Sequence, residues 1–125
     1  GEEPRGGVAL LAFREVRPAV GATDRLLRVA DVLAAKPSEL AFYPVPKLQL
    51  RRVGDHERFS AIRAYELGDG TPEARTPEAA AAWARLLLAG PALRESLNQR
   101  ILVNARAGLY DGCKTAAALA LAPAR

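Results

Sequence analysis

The chain has 125 residues, of which half are hydrophobic and 26% are charged, with a formal net charge of +4. This length suits one domain, and the balance is that of an ordinary globular protein, which excludes disorder throughout. The single cysteine excludes an internal disulfide framework, and no apolar run reaches the ~18 residues that a membrane span needs. Because the sequence also opens without a basic and apolar leader, we expect one cytoplasmic domain over residues 1–125, with no membrane partner.

The first predicted elements are a strand and a helix. The run VALLAF at residues 8–13 is short and continuously apolar, which is typical of a strand buried on both faces. Pro18 suits the first turn of a helix, which we expect to run to about residue 35. The apolar stripe of this helix recurs at helical spacing and comprises Val16, Val20, Thr23, Leu27, Ala30 and Ala34. Such a stripe normally faces a core, with the charged residues outside it.

Two further strands are predicted before residue 68. The segment ELAFYPV, residues 39–45, favours a strand whose far end the following prolines confine to an edge or a bend. Leu48 and Leu50 alternate with polar residues, so strand character resumes there, and Gly54 suits a turn. The segment RFSAIRAYEL, residues 58–67, is interpreted as the third strand.

The second predicted helix has clear end signals. Thr76 is a suitable N-cap, Pro77 suits the first helical position, and Gly90 with Pro91 marks the end. Beyond residue 91, two alternatives remain open: a helix, a strand at 101–104 and a final helix, or one helix bent near Gly108. The predicted fold class is therefore α+β, a split β-α-β-β-α(-β) sandwich-like single domain with a core over 8–90 and a helical or mixed extension over 91–125.

Three local motifs contain residues that could take part in catalysis. GLYDGCKT, residues 108–115, approaches a phosphate-binding loop, but Cys113 stands where such a loop needs glycine, which argues against nucleotide hydrolysis. His56 is the only histidine and lies between two acids, a pattern more typical of a solvated turn than of a metal ligand or general base. Cys113 beside Lys114 is interpreted as a packing residue. We therefore expect no catalytic residue, metal ion or cofactor.

Residues 47–63 form a locally basic segment. Its cations are Lys47, Arg51, Arg52, Arg58 and Arg63. With Phe59 and Tyr65 nearby, this predicted hairpin has the ingredients of an anion-binding or nucleic-acid-binding module. The glycine-and-aromatic signature of RNA-recognition domains is missing, which argues against nucleic acid as a partner.

The stretch VALLAFREVRPAVGATDRLLRVADV resembles the first strand and helix of bacterial microcompartment shell-protein domains. The residues that carry the resemblance are Arg14, Ala19, Ala22, Asp24, Leu27, Arg28 and Ala30. Beyond this stretch, and up to about residue 90, the resemblance is one of topology only. The loop PKLQLRRVGDHE is longer than the pore loop of that family, GTPEART is an insertion, and residues 91–125 do not match.

The resemblance implies a non-enzymatic structural subunit that forms cyclic homo-oligomers, hexamers in that family, and contacts other shell subunits or encapsulated enzymes. Arg28 would replace the lysine at the edge between oligomers, with Asp24 and Asp31 beside it. The loop residues Lys47, Arg51 and Arg52 would face a central pore and favour small anionic metabolites. Two alternatives stay open: the anion-binding module, and a small enzyme that uses His56 or Cys113 at a site between subunits.

Overall fold

The computed structural model describes residues 7–37 and 43–122. Within these residues the chain forms five α-helices and a two-stranded parallel sheet, which confirms the α+β class. The elements are α1 (Val16–Leu27), β1 (Leu33–Ala35), β2 (Lys47–Gln49), α2 (Arg58–Leu67), α3 (Pro77–Ala89), α4 (Pro91–Arg106) and α5 (Gly112–Leu121). None of the described helices combines the length and the hydropathy that crossing a membrane requires.

β2 has backbone partners on both of its edges. On one edge it pairs in parallel with β1, with Ala34 opposite Leu48. On the other edge residues 69–74 run parallel to it, held by hydrogen bonds from Lys47 N to Asp69 O (2.9 Å) and from Thr71 N to Lys47 O (2.9 Å). Because α2 connects β2 to this segment, the centre of the fold is a β-α-β unit.

The core sits where α3 and α4 cover β2. Leu48 of β2, Leu87 of α3 and Leu97 of α4 form the buried cluster, and the side chain of Leu87 is fully buried. Trp83 and Leu93 pack against this cluster and are half-buried. The helices are thus fixed to the sheet by a small apolar contact.

The predicted ends of α3 are confirmed. The Thr76 hydroxyl accepts a hydrogen bond from Ala79 N at 3.2 Å, and Pro77 occupies the first turn, where its missing N–H costs nothing. α3 ends at Ala89 and α4 begins at Pro91, so the chain reverses over Gly90.

The prediction of a strand over residues 58–67 is wrong, because this segment is the helix α2. Its buried residues Ala61, Ala64 and Leu67 recur every three positions, which places them on one helical face. Gly68 ends the helix with φ of 70°, and its N–H is accepted by the carbonyls of Ala64 and Tyr65. The split strand-helix-strand-strand order therefore does not apply, although the class does.

The N-terminal predictions also need correction. Residues 8–13 form no strand, since they have no backbone hydrogen bond to any other described residue. The first helix ends at Leu27 rather than near residue 35, because residues 33–35 pair with β2 as β1. Of the strand predicted at 39–45, residues 39–42 lie outside the described residues, and residues 43–45 form bends. The strand predicted at Leu48 is confirmed as β2.

Residues 101–104 are helical and not a strand. Leu97, Ile101 and Asn104 are buried on one face of α4, at the three- and four-residue spacing of a helix. The chain bends at Gly108, which has φ of 75°, and α5 follows. The C-terminal extension is thus two helices, one on each side of the glycine that the sequence singled out.

Candidate functional site

Lys47 and Asp69, which lie on neighbouring parallel segments, form a buried ion pair. The Lys47 ammonium is 3.0 Å from Asp69 Oδ2, and the two side chains are 4% and 0% exposed. Lys47 also donates a hydrogen bond to the Val45 carbonyl at 3.2 Å. The prediction that Lys47 faces a pore is therefore wrong, because its side chain is buried. A buried cation needs partners, and Asp69 and the Val45 carbonyl supply them.

Two residues of the C-terminal region extend this ion pair into a polar network. The Tyr110 hydroxyl donates to Asp69 Oδ2 at 2.9 Å, and Asn104 Nδ2 donates to the Leu67 carbonyl at 3.0 Å and to the Tyr110 hydroxyl at 3.4 Å. Burial lowers the pKa of Lys47, against the opposing effect of the Asp69 charge. Burial also raises the pKa of Tyr110 to about 12. The network ties β2 to α4 and to the segment that precedes α5.

Arginines surround a depression of about 440 Å3 just beyond β2. We call its three cations, Arg51, Arg52 and Arg75, the arginine loop. Glu73 accepts hydrogen bonds from the Arg52 backbone N and Nη1, both at 3.1 Å, and lies 3.5 Å from Arg75 Nε. Arg52 is thus committed to internal contacts. Arg51 is exposed and has no ion pair within the described residues, so of the predicted anion-facing residues it is the accessible one.

The predicted oligomer edge lies at the end of α1. Arg28 Nη2 is 3.1 Å from Asp24 Oδ2, one helical turn away, and both groups are accessible to solvent. Exposed pairs at this spacing contribute only about 0.3–0.5 kcal/mol. Asp31 is exposed beyond the helix and makes no ion pair within the part of the chain that the structure describes. The structure thus brings Asp24 and Arg28 together and leaves Asp31 apart.

Most of the apolar stripe of α1 is exposed. Leu27 is buried, whereas Val16 and Val20 are 77% and 60% exposed. The preceding segment 8–13 is exposed along its whole length. The sequence pattern predicted the stripe correctly, but a pattern cannot say whether the stripe packs on its own chain or elsewhere.

The two candidate catalytic residues lie in ordinary surface settings. His56 is exposed in a short 3-10 turn before α2, and Cys113 is an exposed free thiol in α5. No group of three potential metal ligands occurs among residues 7–37 and 43–122. Glu57, next to His56, is buried and bonded to Lys36 and to Val53 N, which hold its pKa at about 2. The contacts of Glu57 with Lys36 and Val53 N stabilise the 3-10 turn that precedes α2.

Sequence reasoning missed a cleft of about 710 Å3 between the end of α2, the segment 68–72 and helices α3 and α4. It is lined by Tyr65, Gly68, Gly70, Thr71, Pro72, Trp83, Leu93, Ser96, Leu97, Gln99, Arg100 and Val103. Trp83, the one tryptophan of the sequence, is the signal that could have indicated this cleft, because aromatic side chains often form the walls of binding clefts.

Comparison with known proteins yields one match. The sequence model described as "Domain of unknown function (DUF6938)" matches residues 1–121. No curated protein and no solved structure matches the chain significantly. Because the match spans nearly the whole sequence, the chain belongs to the DUF6938 family.

Proposed function

We propose that the chain is a structural subunit that associates with further copies of itself through residues 8–29, which we call the assembly surface. The observation that carries this proposal is the exposure of Val16 and Val20 on the apolar stripe of α1. An amphipathic helix normally buries such a stripe, and a continuous apolar surface on a folded chain marks an interaction site.

The apolar content of the assembly surface supports a stable contact. Its exposed large hydrophobic residues are Val8, Leu10, Leu11, Phe13, Val16, Val20, Leu26 and Val29. Burying one such side chain completely contributes about 1.5–3 kcal/mol. Association costs about 4–15 kcal/mol in lost freedom of motion. Even partial burial of this set on both copies is therefore enough to favour assembly.

The segment 8–13 favours a second copy as the partner. Its backbone groups have no hydrogen-bond partner among the described residues, so they are free to pair with another chain. Because all six residues are apolar, the same segment of another copy can pair with it in antiparallel orientation and share the buried face.

The charges on α1 are complementary to those of an antiparallel copy. Arg17, Asp24 and Arg28 follow one another along one side of the stripe, at helical spacings of seven and four residues. A two-fold axis near Val20 would bring Arg17 of each copy beside Asp24 of the other copy. Asp24 and Arg28, the predicted oligomer edge, would then join one charge cluster at the interface.

This proposal retains the self-association implied by the microcompartment resemblance, together with a cytoplasmic location in keeping with the free thiol of Cys113. It gives Lys47 no part in a pore, because the Lys47 side chain is buried. The smallest assembly that satisfies the proposed interface is a two-fold dimer.

Sedimentation velocity of the full chain at increasing concentration tests the proposal. We expect dimers or larger assemblies for the unmodified chain and monomers for Val20→Glu, which places a charge in the stripe. Leu119→Glu is the matched control, since it changes an apolar residue on α5 that is at least as exposed as Val20. Equal assembly of the unmodified chain and Val20→Glu would contradict the proposed surface, provided that circular dichroism shows both chains folded.

The arginine loop supports a second candidate function, the binding of a phosphate-rich polyanion. The observation in its favour is that Arg51 and Arg75 both border one depression and are both exposed. Inorganic polyphosphate is a suitable probe, and its affinity should fall steeply with salt because phosphate contacts release counterions. Arg51→Ser should weaken binding, whereas Arg58→Ser, an exposed arginine outside the depression, should not. Salt-independent binding would exclude this candidate.

A further inference from the structure

The cleft beside Trp83 has the size of a small-molecule site. Its volume of about 710 Å3 falls within the roughly 300–1,000 Å3 that is typical of ligand pockets. The segment 68–72 forms one wall, and α3 and α4 form the others. None of the lining residues belongs to the assembly surface.

The walls of the cleft are mainly apolar and include two aromatic rings. Trp83 and Leu93 are half-buried because they pack against the core cluster, which fixes their positions. Leu97 is buried behind them, and Tyr65 is exposed at the rim. Aromatic walls held by a core favour a flat apolar group that can stack on them.

The polar lining has a single charge. Arg100 is the one charged residue among the lining residues, and it forms no ion pair with any described residue. Ser96 and Gln99, one to four residues before it on α4, are exposed and add neutral hydrogen-bonding groups. An arginine without a counter-charge beside an apolar wall is suited to a carboxylate, which it can bind through two parallel hydrogen bonds.

Gly68 provides the space that Arg100 occupies. A Cβ atom built at Gly68 would lie 2.8 Å from Arg100 Cγ and 3.4 Å from its Nε. The left-handed backbone at Gly68, with φ of 70°, also disfavours a side chain at this position. The helix end that closes α2 therefore also sets the position of the cation in the cleft.

We propose that this cleft binds a small amphipathic carboxylate, with its flat apolar body against Trp83 and its carboxylate on Arg100. Charge complementarity selects the anion, and the apolar walls select a ligand with a ring or a similar planar group. The site is separate from self-association and from the arginine loop, since neither shares a lining residue with it.

The fluorescence of Trp83 reports on this site directly, because Trp83 is the only tryptophan of the chain. Phenylbutyrate is a suitable probe, and phenylbutanamide is its uncharged counterpart. We expect a saturable change in tryptophan emission with phenylbutyrate and at least tenfold weaker binding of the amide, the size expected for one charge-assisted contact. No change with phenylbutyrate, or equal affinity for the two compounds, would overturn the proposal.

Substitutions on α4 test the charge of the cleft and its shape independently. Arg100→Gln should weaken phenylbutyrate binding at least tenfold, whereas Arg106→Gln, an exposed arginine of the same helix outside the cleft, should not change it. Ser96→Phe should abolish binding by filling the cleft. Unchanged affinity in Arg100→Gln or in Ser96→Phe, with circular dichroism matching the unmodified chain, would show that phenylbutyrate binds elsewhere and would overturn the assignment.

Discussion

The Lys47 ammonium and the Asp69 carboxylate form a buried ion pair 3.0 Å long between two adjacent parallel segments of the chain. The segments are also joined by backbone hydrogen bonds on either side of the pair. Tyr110 adds a hydrogen bond from the C-terminal region to the same carboxylate oxygen. This arrangement holds the sheet, α4 and the connection to α5 in one structure.

Replacing Lys47 by methionine should destabilise the fold strongly. The substitution leaves the Asp69 carboxylate buried without its cation, a change that typically costs about 3–5 kcal/mol. Urea denaturation measures the free energy of unfolding. Lys114→Met is the control, since Lys114 pairs with Asp111 on the surface and should cost little.

The double variant Lys47→Met with Asp69→Asn should recover part of the lost stability. Asparagine carries no charge, and its amide oxygen can still accept the hydrogen bond from Tyr110. If Lys47→Met unfolds at the same urea concentration as Lys114→Met, the ion pair does not have the structural role assigned to it.

Tyr110→Phe should cost about 1–2 kcal/mol of folding free energy. The substitution removes the donor to Asp69, which is already left with one oxygen, Oδ1, that has no partner among the described residues. Tyr65→Phe is the matched control, because the Tyr65 ring is exposed. Thermal or urea unfolding of the two variants gives the comparison, and equal stabilities would argue against the network.

Glu57 should make the stability of the fold depend on pH in the acid range. Its hydrogen bonds to Lys36 and to Val53 N lower its pKa from 4.5 to about 2. The stabilisation is therefore complete above about pH 4.5 and is lost as the pH falls toward 2. Glu57→Gln should unfold more easily than the unmodified chain at neutral pH, and this difference should shrink toward pH 2. Glu95→Gln, at an exposed position of α4, should show no such trend.

The ends of α3 could be predicted because their signals are local. The side chain of Thr76 caps the helix, Pro77 fits its first turn, and the residues after Ala89 stop it. Residues 58–67 could not be assigned in this way, because RFSAIRAYEL satisfies both a two-residue and a three-to-four-residue pattern. The burial of Ala61, Ala64 and Leu67 against other elements decides in favour of the helix.

The sequence indicates which polar residues are candidates for a site but not where they lie in the fold. The basic segment at 47–63 is evident from the sequence. The partner of Lys47 is nevertheless Asp69, which follows α2 in the sequence, and the sequence pattern predicts a strand in place of α2. The cleft escaped detection for the same reason, since its walls come from α2, α3 and α4 together. Contacts between distant segments depend on the fold and leave no local pattern.

The resemblance to microcompartment shell domains stays a prediction about assembly. Its best-matching stretch corresponds to segment 8–13 and α1, where several large apolar side chains are exposed. The sequence indicated an amphipathic helix correctly and could not indicate that most of its stripe would be exposed.

The central claim is that α1 meets α1 of a second copy, and charge-reversed pairs test it most directly. Arg17→Asp adds an acid beside Asp24 on the side of α1 that would meet the partner, and Asp24→Arg adds a base there beside Arg17 and Arg28. Each variant alone should repel its own copies and sediment as a monomer of about 13.3 kDa. An equimolar mixture should form heterodimers of twice that mass, because unlike copies attract each other. A mixture that stays monomeric, or variants that each assemble as the unmodified chain does, would contradict the account.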